Sequence, residues 1–150
     1  MTHEDLVRRA KRWLLKSVGC PVAFAEPCSG NIDERPDAIG WRYGGASVLV
    51  ECKISLDDFY RDKAKSFRKQ PELGMGMYRW MMTPKGLLLP EQLLPNWGMV
   101  EVRGKCQKCY KIKQPTEMPA YNRLTEIKLL AGKCWNHPEV LEPFDPNGVK

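Results

Sequence analysis

A chain of 150 residues with 24 Lys and Arg against 18 Asp and Glu, a net charge of +6, suits one domain with at most a small appended module. The excess of positive charge favours polyanionic partners. The highly charged start, Met1 to Arg12, offers no hydrophobic leader, and no apolar run is long enough to cross a bilayer, so the expectation is a cytoplasmic protein with no membrane partner.

Thr2 and Asp5 have the form of a capping box, and Leu6, Ala10, Trp13 and Leu14 follow at helical spacing, which predicts a first helix ended by Gly19. Its outer face carries Arg8, Arg9, Lys11, Arg12 and Lys16, which could meet a phosphate backbone, although a solvated face is the favoured reading. Val22 to Glu26 reads as a strand, followed by a polar loop from Pro27 to Arg35. Glu26 closes an apolar run and is therefore the acidic residue expected to be held most rigidly here, ahead of Glu4, Asp33 and Glu34.

Two β-rich runs, Ala38 to Tyr43 and Ala46 to Lys53, flank Gly44-Gly45 and predict a hairpin. Asp37 stands at the start of its first strand. Glu51 and Lys53 lie two apart near the end of the second, so strand periodicity puts both on one face and turns Cys52 the other way, into the core. A strand this apolar penalises a terminal carboxylate and ammonium unless they are paired or bound to metal. With the hairpin closed, Asp37 and Glu51 come side by side and can share a hard divalent cation, while Lys53 can orient a water molecule or stabilise charge on a phosphate.

Pro36-Asp37, followed fourteen residues on by Glu51-Cys52-Lys53, resembles the motif of the PD-(D/E)XK nuclease superfamily. The resemblance covers Leu6 to Val102. It implies a restriction-endonuclease-like α/β fold, a small mixed central sheet of four or five strands flanked by helices, with the acidic cluster at one end. It also implies a catalytic set of Asp37, Glu51 and Lys53 with Mg²⁺ or Mn²⁺ on the two carboxylates, and an acidic residue from the first helix or strand, here Glu26, assisting.

After the hairpin, Ser55 to Asp58 again forms a capping-box pattern, and Phe59, Tyr60, Lys63 and Phe67 mark one helical face. Arg61, Lys63, Lys65, Arg68 and Lys69 are the expected phosphate contacts, because this basic run adjoins the proposed site. Tyr78 to Thr83 reads as a strand whose methionines and Trp80 fill the core. Pro90 to Leu94 reads as a short helix, and Trp97 to Val102 as a further strand.

From residue 103 the character changes. Cys106, Cys109, Cys134 and His137 form C-x2-C-x24-C-x2-H, a spacing that a closed, structural, tetrahedral zinc site accommodates. Residues 1–102 are thus expected to form the nuclease-like core, and 103–150 a zinc-knuckle-like module and tail. In that module a helix from Tyr121 to Leu130 would pack back through Leu124, Ile127 and Leu130. The tail from Pro138 to Lys150, with its prolines, is expected to be irregular.

Taken together, these features predict a metal-dependent deoxyribonuclease of the size found among phage and bacterial members of that superfamily. A homodimer or protein partner is expected too, since cutting both strands takes two sites. The alternative is a nuclease-fold module that binds DNA or a protein without cutting, with affinity that falls with salt and ignores divalent metal.

Overall fold

The structure, a computed structural model, describes residues 1–27 and 34–136. Thr2 caps the first helix as its sequence requires: its Oγ1 accepts the Asp5 N–H at 3.1 Å, and Asp5 Oδ2 accepts the Thr2 N–H at 2.8 Å. Helix α1 (His3–Trp13) then runs into a π-helical turn, Leu14–Val18.

Strands β1 (Val22–Ala25), β2 (Ala38–Trp41) and β3 (Ser47–Cys52) form an antiparallel meander. At the β2–β3 turn Gly45 takes φ +88°, a conformation that glycine adopts without a Cβ clash. The chain then crosses over through α2 (Leu56–Lys63) and α3 (Ser66–Lys69) into β4 (Tyr78–Pro84), which lies parallel to β3. β5 (Gly98–Arg103) continues in parallel, and β6 (Lys108–Lys113) returns antiparallel at the edge. A final helix, α4, spans Arg123–Asn136. The protein is therefore α/β, a six-stranded mixed sheet in sequential order with helices against it.

All six residues of β3 are buried, as expected of a strand covered on both faces. Val48, Val50 and Cys52 point to a core with Leu6, Ala10 and Trp13 of α1, where Trp13 meets Trp80 edge to face at 5.1 Å. Leu49 points the other way, to Phe59 of α2, Met81, Met99, Trp97 and Leu129 of α4. Burying each of these large side chains is worth about 1.5–3 kcal/mol, so the two layers fix the sheet from both sides. Cys52 turns into the α1 core and Met81 and Met82 are buried, as the sequence predicts.

Three expectations are corrected. The sheet has six strands, not four or five: Lys108–Lys113 pairs with β5 through Arg103↔Lys108 and Val102↔Cys109. As an edge strand rich in exposed lysine, β6 blunts the sheet edge and lacks the apolar alternation that would mark it. Leu124 and Ile127 do not pack back; they are 63 % and 55 % exposed, and α4 instead turns Glu126 and Leu129 inward. The helix expected at Pro90–Leu94 is a single 3-10 turn, Pro90–Gln92. The segment 103–150 contributes β6 and α4 to the sheet and its cores, while its tail from Pro138 to Lys150 lies outside the described residues. Among the described residues, no helix is long and apolar enough to cross a membrane.

Candidate functional site

The β2–β3 pairing ends at Ala38↔Val50, and one residue further on this register sets Asp37 across from Glu51. Asp37 is pinned from two sides: its Oδ2 accepts the Cys52 N–H at 2.7 Å, and its carbonyl accepts the Glu26 N–H at 2.7 Å. Oδ1 faces His3 Nε2 at 3.4 Å. His3, Glu26 and Asp37 each offer a ligand atom within 4.8 Å of the others. Glu26 holds its place with φ +43°, a left-handed backbone that costs a non-glycine residue on the order of 1 kcal/mol. Glu26 and Asp37 also line an open cleft of about 270 Å³ with Pro27, Arg35 and Pro36.

Glu51 and Lys53 are withdrawn from the surface. Glu51 is 4 % exposed, with Lys53 Nζ 3.8 Å from its Oε2 and Arg68 NH2 2.9 Å from its Oε1. That Arg68 approach is close but poorly directed, and Glu51 Oε1 makes no hydrogen bond among the described residues. Burial pushes the Glu51 carboxyl well above the usual carboxylate range; Arg68 and Lys53 pull it back without cancelling the rise, to which Asp37 and Asp62 add.

Arg68 is the counter-ion of the cluster. Its Nε donates to Asp62 Oδ2 at 2.9 Å and its NH1 to Glu34 Oε2, while Glu34 Oε1 accepts the Met75 N–H at 2.7 Å. Its guanidinium also lies over the Trp97 ring, 4.9 Å from the centroid. Burial works against this charge, but Glu51, Glu34 and Asp62 outweigh it and hold Arg68 above its ordinary range. Burial likewise opposes ionisation of Asp62, yet Arg68, then Lys53, keep its carboxyl below the usual value. Arg79, buried beside Gly74, donates to the Gly76 and Pro71 carbonyls and leaves NH1 unpaired; burial brings it down to about 10.

Of the residues expected at the site, the structure brings Asp37, Glu51 and Lys53 together at one end of β2 and β3, with Glu26 against Asp37. The expected phosphate-binding face fares differently. Arg68 is 4 % exposed and engaged inward, because the chain breaks at Ala64–Lys65 between α2 and α3 and rotates it toward the sheet. Lys63 donates to the Gln92 carbonyl at 2.9 Å. Arg61 pairs with Asp58 and Lys65 with Asp62, leaving Lys69 exposed without a carboxylate partner among the described residues.

Among the described residues, the three expected zinc-ligand cysteines, Cys106, Cys109 and Cys134, are not grouped at ligand distance. Cys109 packs against the α1 core, whereas α4, which carries Cys134, buries Leu129 in the core of the opposite face. Cys106 sits exposed at the β5–β6 turn, and His137, like Asp33, lies outside the described residues.

Nothing in the local sequence marks His3, Glu34 or Asp62 for these roles. His3 meets Asp37 only because α1 crosses the ends of β1 and β2. Asp62 is an ordinary helix acid until Arg68 turns inward, and Glu34, which the sequence ranks behind Glu26 as a held acidic residue, is a buried partner of Arg68 and the Met75 N–H. Glu126 was missed too: it accepts from Ser47 Oγ at 2.9 Å, the Gly76 N–H at 3.0 Å and Arg123 NH1 at 2.9 Å, locking α4 to the sheet.

No protein-family model matches the chain, and no curated protein matches it. Among solved structures, a protein of unknown function from Silicibacter pomeroyi is similar over 100 % of this chain and 97 % of its own, with a TM-score of 0.65 at 21 % sequence identity. A likeness at that identity bears on the fold alone.

Proposed function

We propose that this chain is a metal-dependent phosphodiesterase of the restriction-endonuclease-like class that hydrolyses DNA. The supporting observation is the convergence of Asp37, Glu51 and Lys53 at one end of two paired strands, with Glu26 and His3 against Asp37. A divalent cation suits the donor set: carboxylates are natural ligands for Mg²⁺ and Mn²⁺, and Asp37, Glu26 and His3 each offer a ligand atom within 4.8 Å of the others. Asp37 and Glu51 would hold the ion, with Glu26 and His3 as neighbouring donors. Bound there, it supplies Lewis acidity and lowers the pKa of its water.

The chain's own groups account for the remaining work. Glu51 serves as a ligand only as the carboxylate, an ionisation that burial opposes and that Arg68 and Lys53 favour. Asp37 is oriented by the Cys52 N–H, so that one carboxylate oxygen is committed to the backbone and the other to the His3 side. Lys53 sets its Nζ 3.8 Å from Glu51 Oε2, where it can hold the attacking water or meet charge developing on phosphate. Hydrolysis forms one P–O bond to water and breaks one P–O bond of the diester, the leaving oxygen taking up a proton.

The test is cleavage of supercoiled plasmid and labelled single-stranded DNA with Mn²⁺, Mg²⁺ or EDTA, comparing wild type with Asp37→Ala and Glu51→Ala. Metal-dependent nicking lost in both variants is the expected result, and undiminished nicking by Asp37→Ala overturns the assignment. One observation favours a second reading: Glu51 is already neutralised in part by Arg68. A module that binds without cutting would hold DNA equally in EDTA and show no turnover by folded wild type in either metal.

A further inference from the structure

We infer that the nucleic-acid strand leaves the acidic site along α1 and across the β5–β6 turn, so that Arg8, Arg9 and Arg12 form its phosphate track; this deepens the nuclease reading and rests on it.

Three concavities are linked by shared lining residues. The cleft at Asp37 shares Glu26 with a second concavity of about 260 Å³. That one shares Arg8 with a third of about 310 Å³, lined by Asp5, Arg8, Arg9, Arg12 and Gln107. The path therefore starts at the carboxylates and ends among arginines. Arg8 and Arg12 are one helical turn apart, about 6 Å along the axis, comparable to the spacing of successive phosphates along a strand. Arg9 is set in place from the other wall, its Nε donating to the Gln107 carbonyl at 2.6 Å.

Charge complementarity selects a polyanion. Among the described residues, Arg9, Lys11 and Arg12 on α1 and Lys16 in the π-helical turn after it have no carboxylate within salt-bridge distance, nor do Lys105, Lys108 and Lys111 on the facing hairpin. Of the three track arginines only Arg8 is bridged among the described residues, to Asp5, and it remains 75 % exposed. The basic residues of α2 and α3 are largely spent on Asp58, Asp62, Glu34 and Glu51. Uncompensated cations beside a cleft attract phosphate, and sequence-independent backbone contact is what an arginine row provides.

The experiment measures binding of a fluorescently labelled single-stranded oligonucleotide by anisotropy in EDTA across a salt series, and cleavage in Mn²⁺ separately. Arg8→Glu/Arg12→Glu is compared with Arg42→Glu/Lys128→Glu, a control of equal charge change placed elsewhere on the exposed surface. The track predicts at least about tenfold weaker binding for the α1 pair and a salt slope shallower by roughly 1.4, at about 0.7 for each phosphate no longer neutralised. The control pair stays within about twofold, as expected for charges away from the bound strand. Arg8→Gln/Arg12→Gln, checked for an unchanged Tm, loses affinity in the same direction by a smaller step. Wild-type affinity in either α1 pair, or equal weakening in the control, overturns the track. If wild type binds but does not cut and the α1 pair still loses binding, the nuclease reading fails while the track stands. If wild type cuts and the α1 pair binds normally, the track alone fails.

Discussion

Replacing Arg68 with methionine removes the one cation that touches three buried carboxylates. Glu34 keeps only the Met75 N–H, Glu51 keeps Lys53 at 3.8 Å, and Asp62 keeps Lys53 and Lys65 at 3.7 and 3.4 Å. Breaking a buried ion pair from one side typically costs about 3–5 kcal/mol, because the stranded charge stays in a poorly solvated place. In a chain of this size that is a fall in Tm of roughly 6–20 °C, at about 2–4 °C per kcal/mol. Urea unfolding should show the same loss with an unchanged m-value. Adding Glu51→Gln removes one stranded charge and should recover part of the loss, with a coupling of about 0.5–3 kcal/mol. Arg61→Met is the contrast: this arginine is 74 % exposed and pairs with Asp58 at 3.3 Å, so its loss should stay within about 0.5 kcal/mol. A penalty for Arg68→Met below about 1 kcal/mol, the worth of a solvated pair, would refute an internal counter-ion.

Glu51→Gln should raise the stability of the metal-free protein. The folded-state pKa of Glu51 lies above its unfolded value, so the native state binds the proton more tightly and stability falls as pH rises from about 4.5 toward the folded value. The Tm advantage of the variant should therefore grow with pH over that window, and an advantage that shrinks would contradict it. His3→Ala should reduce the Tm gain from Mn²⁺ more than that from Mg²⁺, since imidazole suits transition metals better than magnesium; equal effects in thermal-shift titrations would take His3 out of the donor set. Gly76→Ala should cost on the order of 1–3 kcal/mol, because Gly76 sits at φ +97° and an added Cβ would meet Leu49 Cβ at 2.7 Å; denaturant melts check this.

Local rules carried the first two-thirds of the chain. The Thr2–Asp5 box, the hairpin around Gly45 and the apolar run of β3 each answer to neighbours within a few residues, and all three stand as read. The meeting of Asp37, Glu51 and Lys53 was legible for the same reason, since strand period and hairpin register fix it. What failed depends on distant partners. Arg61 and Arg68 look alike in a helical projection, and only the break between α2 and α3 separates an exposed side chain from a buried one. Glu126 reads as a surface helix acid until Ser47 and Gly76, far back in the chain, supply its donors. β6 is an exposed edge and shows no burial pattern to read.

The placement of Glu51 links stability to the proposed chemistry. A strand end serving packing alone would be better filled by an uncharged side chain, since replacing a buried ionic group by a well-packed neutral one is often neutral or stabilising. Here burial disfavours the carboxylate even with Arg68 and Lys53 beside it, and Asp37, held across the strand pair, adds to the penalty. A divalent cation between Asp37 and Glu51 would reverse the sign of that interaction, turning mutual repulsion into shared ligation. The same cation would meet Glu26 and His3 on the open side, where the cleft begins and the arginines of α1 lead away from it. On the proposed metal binding, stability forgone in the protein without the ion would be recovered by RT ln(1 + [L]/Kd), and Glu51 would be the residue that couples the fold to that ion.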